Sequence, residues 1–178
     1  MDRKILINSF QSYQTLFDEE QKFISAFLDL LNHQDCFQRT HLPGHITGSS
    51  WIVNADRSKT LLVHHAKLHK WVQPGGHADG EENILNVALR EAEEETGLTN
   101  LKSFNTIFDL DIHLIPSRKD FPEHFHYDIR FLVEGDESEK IVVSDESHDV
   151  KWVSLNDLEN FTKERSVLRM KDKVLNNG

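Results

Sequence analysis

Arg90-Glu91-Ala92-Glu93-Glu94-Glu95-Thr96-Gly97 sets carboxylates at spacings that a helix draws together. At about 100° per residue, Glu94 falls near −60° and Glu95 near +40° from Glu91, so the three share an arc of about 100°. Like charges at such spacings cost roughly 0.2–0.5 kcal/mol per pair, and acids in a last helical turn oppose the helix dipole. Helix stability alone would favour lysine there. A hard divalent cation reverses the sign: Mg²⁺ or Mn²⁺ takes oxygen ligands in octahedral array and keeps positions open for water and substrate phosphate. Arg90 stands four residues before Glu94, a spacing that makes an ion pair feasible. Upstream, the paired glycines of Pro74-Gly75-Gly76 let the backbone turn sharply and approach a ligand.

The charge around these residues is lopsided. Between Gly76 and Leu98 lie Asp79, Glu81, Glu82, Glu91, Glu93, Glu94 and Glu95 against Arg90 alone, which is −6 of the chain's formal −10. Such a field attracts cations, and it repels an anionic substrate unless bound metal reverses it. Thirty acids against 20 bases argue against a surface that grips long nucleic acid through many phosphate contacts. A length of 178 residues with 38% hydrophobic and 28% charged content describes a soluble globular protein of one domain. No apolar run approaches the roughly 18 residues of a membrane span, and the N-terminal Ile5-Leu6-Ile7 is shorter than the apolar core of a signal peptide. The single cysteine, Cys36, excludes a disulfide framework and a four-cysteine zinc site and favours a reducing compartment. A cytoplasmic location without membrane attachment is the expectation.

Several elements must hold these groups in place. Phe17, Phe23, Ile24, Phe27, Leu28 and Leu31 recur at helical spacing and predict a helix over 18–33, with Asp18 and Gln21 closing a capping box. Residues 50–53 and 60–64 read as a hairpin about the turn-forming Asn54-Ala55-Asp56-Arg57-Ser58. A short strand over 71–73 leads into Pro74-Gly75-Gly76. A helix over 82–96 follows, with an apolar stripe of Ile84, Leu85, Val87, Ala88, Leu89 and Ala92 and with Gly97 as its C-terminal cap. Strands are predicted over 106–114, 126–133 and 150–153, a further helix opening at Ser154, and a C-terminal helix over 163–175. The mixture predicts an α/β or α+β class with a mixed sheet, in which residues 1–42 form an N-terminal helical extension packed on a domain of 43–178.

A bare Glu-Glu-Glu run is most often a solvated helix face. The wider pattern overrides that reading. Gly76, five residues, Glu82, seven residues, Arg90-Glu91, aliphatic Ala92, one residue, Glu94-Glu95, one residue, Gly97 and aliphatic Leu98 fill every place of the Nudix box. In these residues the chain resembles a Nudix hydrolase. The strand before Gly76 and the later Trp152 strand with its following helix match the same order of elements. The resemblance implies an α/β/α sandwich of α/β class, in which the box forms a loop, a helix and a second loop. It implies hydrolysis of a diphosphate linked to another group, with Mg²⁺ or Mn²⁺ as cofactor. By position, Glu91, Glu94 and Glu95 are expected as metal ligands or water activator, a backbone carbonyl of Gly75 or Gly76 as a further ligand, and Arg90 as the group that orients the glutamates. Glu82 is expected to organise the box rather than to bind metal. The family often takes another acid from a loop near the end of the sheet, and Glu146 is the candidate.

Weaker features surround this set. The strand period of two puts His124, His126 and Asp128 on one face, a spacing that could hold a metal or contact phosphate, or be polar alternation on a half-exposed strand. His77, directly after Gly76, could touch substrate phosphate or be a solvated loop residue. His64, His65 and His69 with Lys67 and Lys70 form a modest basic cluster that could receive an anion or be a solvated hairpin. The expected activity is Mg-dependent cleavage of a diphosphate linkage in a small nucleoside-diphosphate-type metabolite. Two rivals share the fold. A non-catalytic nucleotide-sensing module is disfavoured by the intact box, and an isopentenyl-diphosphate-isomerase-like enzyme needs a cysteine, whereas Cys36 lies outside the resembling segment. Pro116 lies somewhat beyond where ADP-ribose-cleaving members tend to carry a proline. A homodimer is the commonest symmetric assembly for such a chain.

Overall fold

The computed structural model describes residues 2–119 and 121–176. Its elements run α1 (Arg3–Ser12), α2 (Asp18–Leu30), β1 (Gly44–Val53), β2 (Lys59–His65), β3 (Lys70–Val72), β4 (Gly75–His77), α3 (Ile84–Thr96), β5 (Lys102–Ile115), β6 (His124–Glu134), β7 (Ser147–Ser154) and α4 (Arg165–Asn176). Among the described residues seven strands share one sheet of order β3-β2-β1-β6-β5, with β4 paired to β1 and β7 to β2. The class is α/β, with a mixed open sheet and helices. The chain divides into two compact units. One comprises Met1–Gly48, Gly76–Ala88 and Asn105–Phe131, and the other Ser49–Gly75, Leu89–Phe104 and Leu132–Gly178. Among the described residues no helix is long and apolar enough to cross a membrane.

The first unit contains both N-terminal helices. Helix α1 is capped by Asp2, whose carboxylate accepts from the Ile5 amide at 2.9 Å, and it buries Leu6 and Phe10. Two buried positions are too few for a periodic signal, and this helix was not among the predicted elements. The Phe10 ring lies 5.0 Å from Phe27 of α2, and Phe27 meets Tyr127 edge-on at 5.4 Å. Helix α2 spans most of the predicted range, but its capping box is not formed. Phe17 occupies the cap position without a side-chain bond, and Gln21 Nε2 instead donates to the Thr15 carbonyl at 3.2 Å. Asp18 is already inside the helix, where a first-turn acid interacts only with the dipole. The anchoring acid is Glu20, which is buried and accepts from Tyr13 Oη at 2.7 Å, the Leu110 amide at 3.0 Å and the Thr15 hydroxyl.

Strand β1 begins six residues earlier than predicted and is buried along its whole length. At Gly48 it runs so close to α3 that an added Cβ would stand 2.9 Å from Ile84 Cγ2 and 3.0 Å from the Ile84 carbonyl oxygen. Beside it lies a charged core. Arg130, 2% exposed, reaches Asp128 at 2.7 Å, Asp111 at 3.1 Å and Asp109 at 3.2 Å. Thr47 Oγ1 adds a 3.0 Å hydrogen bond to Asp128. Asp128 is therefore engaged by Arg130 and Thr47.

The second unit pairs β2 antiparallel with β1, β3 and β7, with an irregularity between His64 and His65 on the β7 side. Leu61, Leu62, Val63, Leu98, Val150, Val153 and Leu158 are buried in it. Gly97 ends α3 as expected: its φ is +76° and its amide donates to the Glu93 carbonyl at 2.8 Å. No α-helix opens at Ser154. Bonds three residues apart, from the Asp157 amide to Ser154 and from the Asn160 amide to Asp157, turn the chain through a short 3₁₀ segment, Leu158–Asn160, before α4. Helix α4 then buries Val167, Met170 and Val174.

Candidate functional site

The second unit brings Gly75, Arg90, Glu91, Glu94, Glu95 and Glu146 into one electrostatic neighbourhood. Helix α3 grades its three carboxylates from inside to outside: Glu95 is 7% exposed, the Glu91 side chain 17% and the Glu94 side chain 59%. The Gly75 amide donates to Glu95 Oε2 at 3.1 Å. Arg90 Nη1 reaches Glu91 Oε1 at 2.8 Å and Glu94 Oε2 at 3.2 Å, so one guanidinium steadies two of the three acids.

Burial pushes the Glu95 carboxyl up to about 8; the negative charges of Glu91, Glu146 and Glu94 push the same way, and the Gly75 amide opposes them. Burial also raises Glu91 above its ordinary value, with Arg90 opposing and with Glu94 and Glu146 adding to the rise. Glu146 itself is exposed on the loop before β7, and its carbonyl accepts from the Ala66 amide at 2.9 Å, which ties that loop to the β2–β3 connection. Four carboxylates thus crowd together against one arginine, and two of them hold protons more tightly than usual. A donor set of this kind suits a hard, oxygen-seeking divalent cation, whose charge would replace those protons.

Other sequence-selected residues are placed differently. Glu82 belongs to the first unit, where Arg3 grips its Oε1 through Nε at 3.1 Å and Nη2 at 3.0 Å. Arg3 also donates to the carbonyls of Leu31 and His33 at 2.8 Å and of Gln34 at 2.7 Å, so the first turn of α1 fastens the loop ahead of α3. Gly76 and His77 continue β4 in that same unit. His77, His124 and His126 come together there with His45 of β1, which the sequence reading did not single out. Burial pushes His77 down to about 4 and His126 down to about 2, and it also lowers His45, so these rings are held neutral. A lone histidine in a strand carries no signal of such company.

In the hairpin cluster, His64 stacks on Trp71 at 5.0 Å and Lys70 pairs with Glu164 at 2.7 Å. Cys36 is fully buried, and desolvation pushes its thiol up to about 11. A thiol held protonated in this way is a poor nucleophile.

Comparison with known proteins identifies the family. The sequence model of the NUDIX domain matches residues 45–172. A probable DHNTP pyrophosphohydrolase of Lactococcus lactis subsp. cremoris (strain MG1363) is 27% identical over 123 residues, covering 68% of this chain and 74% of that protein. A NUDIX-family hydrolase from Clostridium perfringens superposes with a TM-score of 0.59 at 25% identity, over 75% of this chain and 98% of that one. An Ap4A hydrolase from C. elegans, in a binary complex, superposes with a TM-score of 0.60 at 18% identity, over 74% and 96% of the two chains. The chain belongs to the Nudix family, hydrolases that act on pyrophosphate bonds and generally use divalent metal ions.

Proposed function

We propose that the protein is a Mg²⁺-dependent (or Mn²⁺-dependent) pyrophosphohydrolase that cleaves a diphosphate linkage in a small nucleoside-diphosphate-type metabolite. The observation that carries this reading is the buried end of α3, where Glu95 is bonded to the Gly75 amide and crowded by Glu91, Glu94 and Glu146. Glu91, Glu94 and Glu95 would hold the ion, with a carbonyl of Gly75 or Gly76 as a further donor. Bound there, a divalent cation supplies polarisation of phosphate oxygens and a water of lowered pKa.

The protein's own groups do the rest. Arg90 holds Glu91 and Glu94 in register, and the Gly75 amide fixes the rotamer of Glu95. Burial raises the proton affinity of Glu95 in the metal-free chain, and an ion held there would take the place of that proton. Glu146 would contribute a further acid from the loop before β7. The likeness to a probable DHNTP pyrophosphohydrolase supports a small polyphosphate substrate. The family match beginning at residue 45 supports residues 43–178 as the catalytic domain, with 1–42 as a helical extension. The lone, buried Cys36 supports a reducing, cytoplasmic setting.

The test is phosphate release from a panel of nucleoside triphosphates, ADP-ribose, sugar nucleotides and dinucleoside polyphosphates in Mg²⁺, with Glu94→Gln and Glu95→Gln alongside. At least one compound should be cleaved, and each variant should lose about a hundredfold or more of the turnover while keeping its fold. Wild-type turnover in both variants would overturn the assignment. Binding of ADP-ribose or a dinucleotide with no cleavage in either metal would replace it with a sensing role.

A further inference from the structure

His45 of β1, His77 at the end of β4, and His124 and His126 of β6 each direct one ring nitrogen into a shared space, where the four atoms lie within 4.8 Å of one another. All four residues belong to the first unit. We propose that they form a binding site for one late first-row transition ion, Zn²⁺, separate in composition from the glutamates that would take Mg²⁺.

The spacing supports ligation. His124 Nε2 and His126 Nε2 stand 3.2 Å apart, and two nitrogens bound to a tetrahedral zinc at about 2.0–2.1 Å are separated by about 3.3 Å. The ring centroids of His45 lie 5.0 Å from those of both His124 and His126, and His77 lies 4.9 Å from His126. Three strands supply the rings: two come from alternate positions on one face of β6, one from β1, and one from β4, which pairs with β1.

Orientation points the same way. His124 Nδ1 lies 2.8 Å from the Pro122 carbonyl and His45 Nδ1 lies 3.3 Å from the His41 carbonyl. A carbonyl accepts only, so each Nδ1 carries the proton and each Nε2 presents a lone pair. That is the outer contact by which metal-binding histidines are usually aimed. His45 Nε2 is buried and has no hydrogen-bond partner among the described residues, a costly state for a polar atom. An ion in the shared space would satisfy it.

The donor set selects the ion. Imidazole nitrogen suits zinc, copper, nickel and iron, whereas magnesium requires oxygen. Phosphate contact is the competing use of His77, His124 and His126, and it needs N–H groups turned to a common anion. Here the Nδ1 proton of His124 is already given to a backbone carbonyl and its Nε2 faces another Nε2.

The experiment is metal analysis of the full-length protein, purified without chelator, loaded with zinc chloride and exchanged into millimolar Mg²⁺. One equivalent of zinc per chain should survive the exchange, and X-ray absorption at the zinc edge should show a nitrogen first shell. His77→Gln and the double variant His124→Gln/His126→Gln should bind zinc at least a hundredfold more weakly, while Glu94→Gln and Glu95→Gln should keep it. Less than a tenth of an equivalent retained by the wild type overturns the proposal. So does an oxygen-dominated shell, or zinc lost from the glutamate variants rather than the histidine ones. The absorption spectrum of the wild type decides the matter even where a histidine variant does not fold.

Discussion

The amide of Gly75 and the carboxylate of Glu95 meet at 3.1 Å, joining the first residue of β4 to the last turn of α3. That one bond does not outweigh desolvation and three neighbouring acids, and the carboxyl is pushed up to about 8 from an ordinary 4.5. A folded state that holds a proton more tightly than the unfolded chain gains stability below the unfolded value and loses it as pH rises through the folded one. Metal-free protein should therefore melt at falling temperature from about pH 5 to pH 8, by an amount worth on the order of a few kcal/mol. Saturating Mg²⁺ should flatten the trend, since the ion takes the proton's place, and its affinity should rise with pH over the same range. Glu95→Gln should flatten it without metal. Thermal melts across pH in EDTA check this, and a wild-type profile that matches the variant's would contradict it.

The site on α3 was legible because its signal is local. Helical periodicity, glutamates at spacings of three and four, and a glycine one residue past the end all lie within one stretch of chain, and α3 with its Gly97 cap follows them. What could not be read depends on neighbours far away in sequence. The first half of β1, Gly44-His45-Ile46-Thr47-Gly48-Ser49, has no apolar alternation, yet every residue is buried because polar partners arrive from other elements. Asp109 and Asp111 in β5 and Asp128 and Arg130 in β6 look like the wet face of two strands. Only their pairing with each other makes them an interior. His45 and the Arg3–Glu82 pair were invisible for the same reason, since each partner lies more than thirty residues distant.

Arg130 pairs with three aspartates, two of them nearly inaccessible to water. Its own pKa is held above the ordinary arginine value by Asp111, Asp128 and Asp109, against the cost of burial. Arg130→Met keeps the volume and leaves carboxylates without their counter-ion, a change that typically costs about 3–5 kcal/mol. Urea titration should show an unfolding free energy lowered by that amount, and Arg130→Lys should recover only part of it, since one ammonium cannot span three acceptors as a planar fork does. An unshifted midpoint for Arg130→Met would mean that the network contributes nothing to stability.

Asp18 and Glu20 make the sharpest contrast between sequence pattern and structure. The pattern favours Asp18 as half of a capping box, which would make it the more costly of the two to lose. In the fold Asp18 lies in the first turn of α2 with no cap bond, so Asp18→Ala should remove only a dipole interaction of about 0.3–1 kcal/mol. Glu20 is buried and serves as acceptor to the Tyr13 hydroxyl, the Thr15 hydroxyl and the Leu110 amide, so it links the α1–α2 connection to β5. Glu20→Ala takes a buried acceptor from all three donors, of which Tyr13 keeps the Phe108 carbonyl at 3.2 Å, a loss of about 2–4 kcal/mol. Glu20→Gln should fall between the two, because its amide keeps one accepting oxygen and turns an N–H group toward a donor. Chemical denaturation of the three variants should therefore rank them Asp18→Ala, Glu20→Gln, Glu20→Ala in increasing cost. The reverse order for the two alanine variants would restore the capping box as the anchor of the helix.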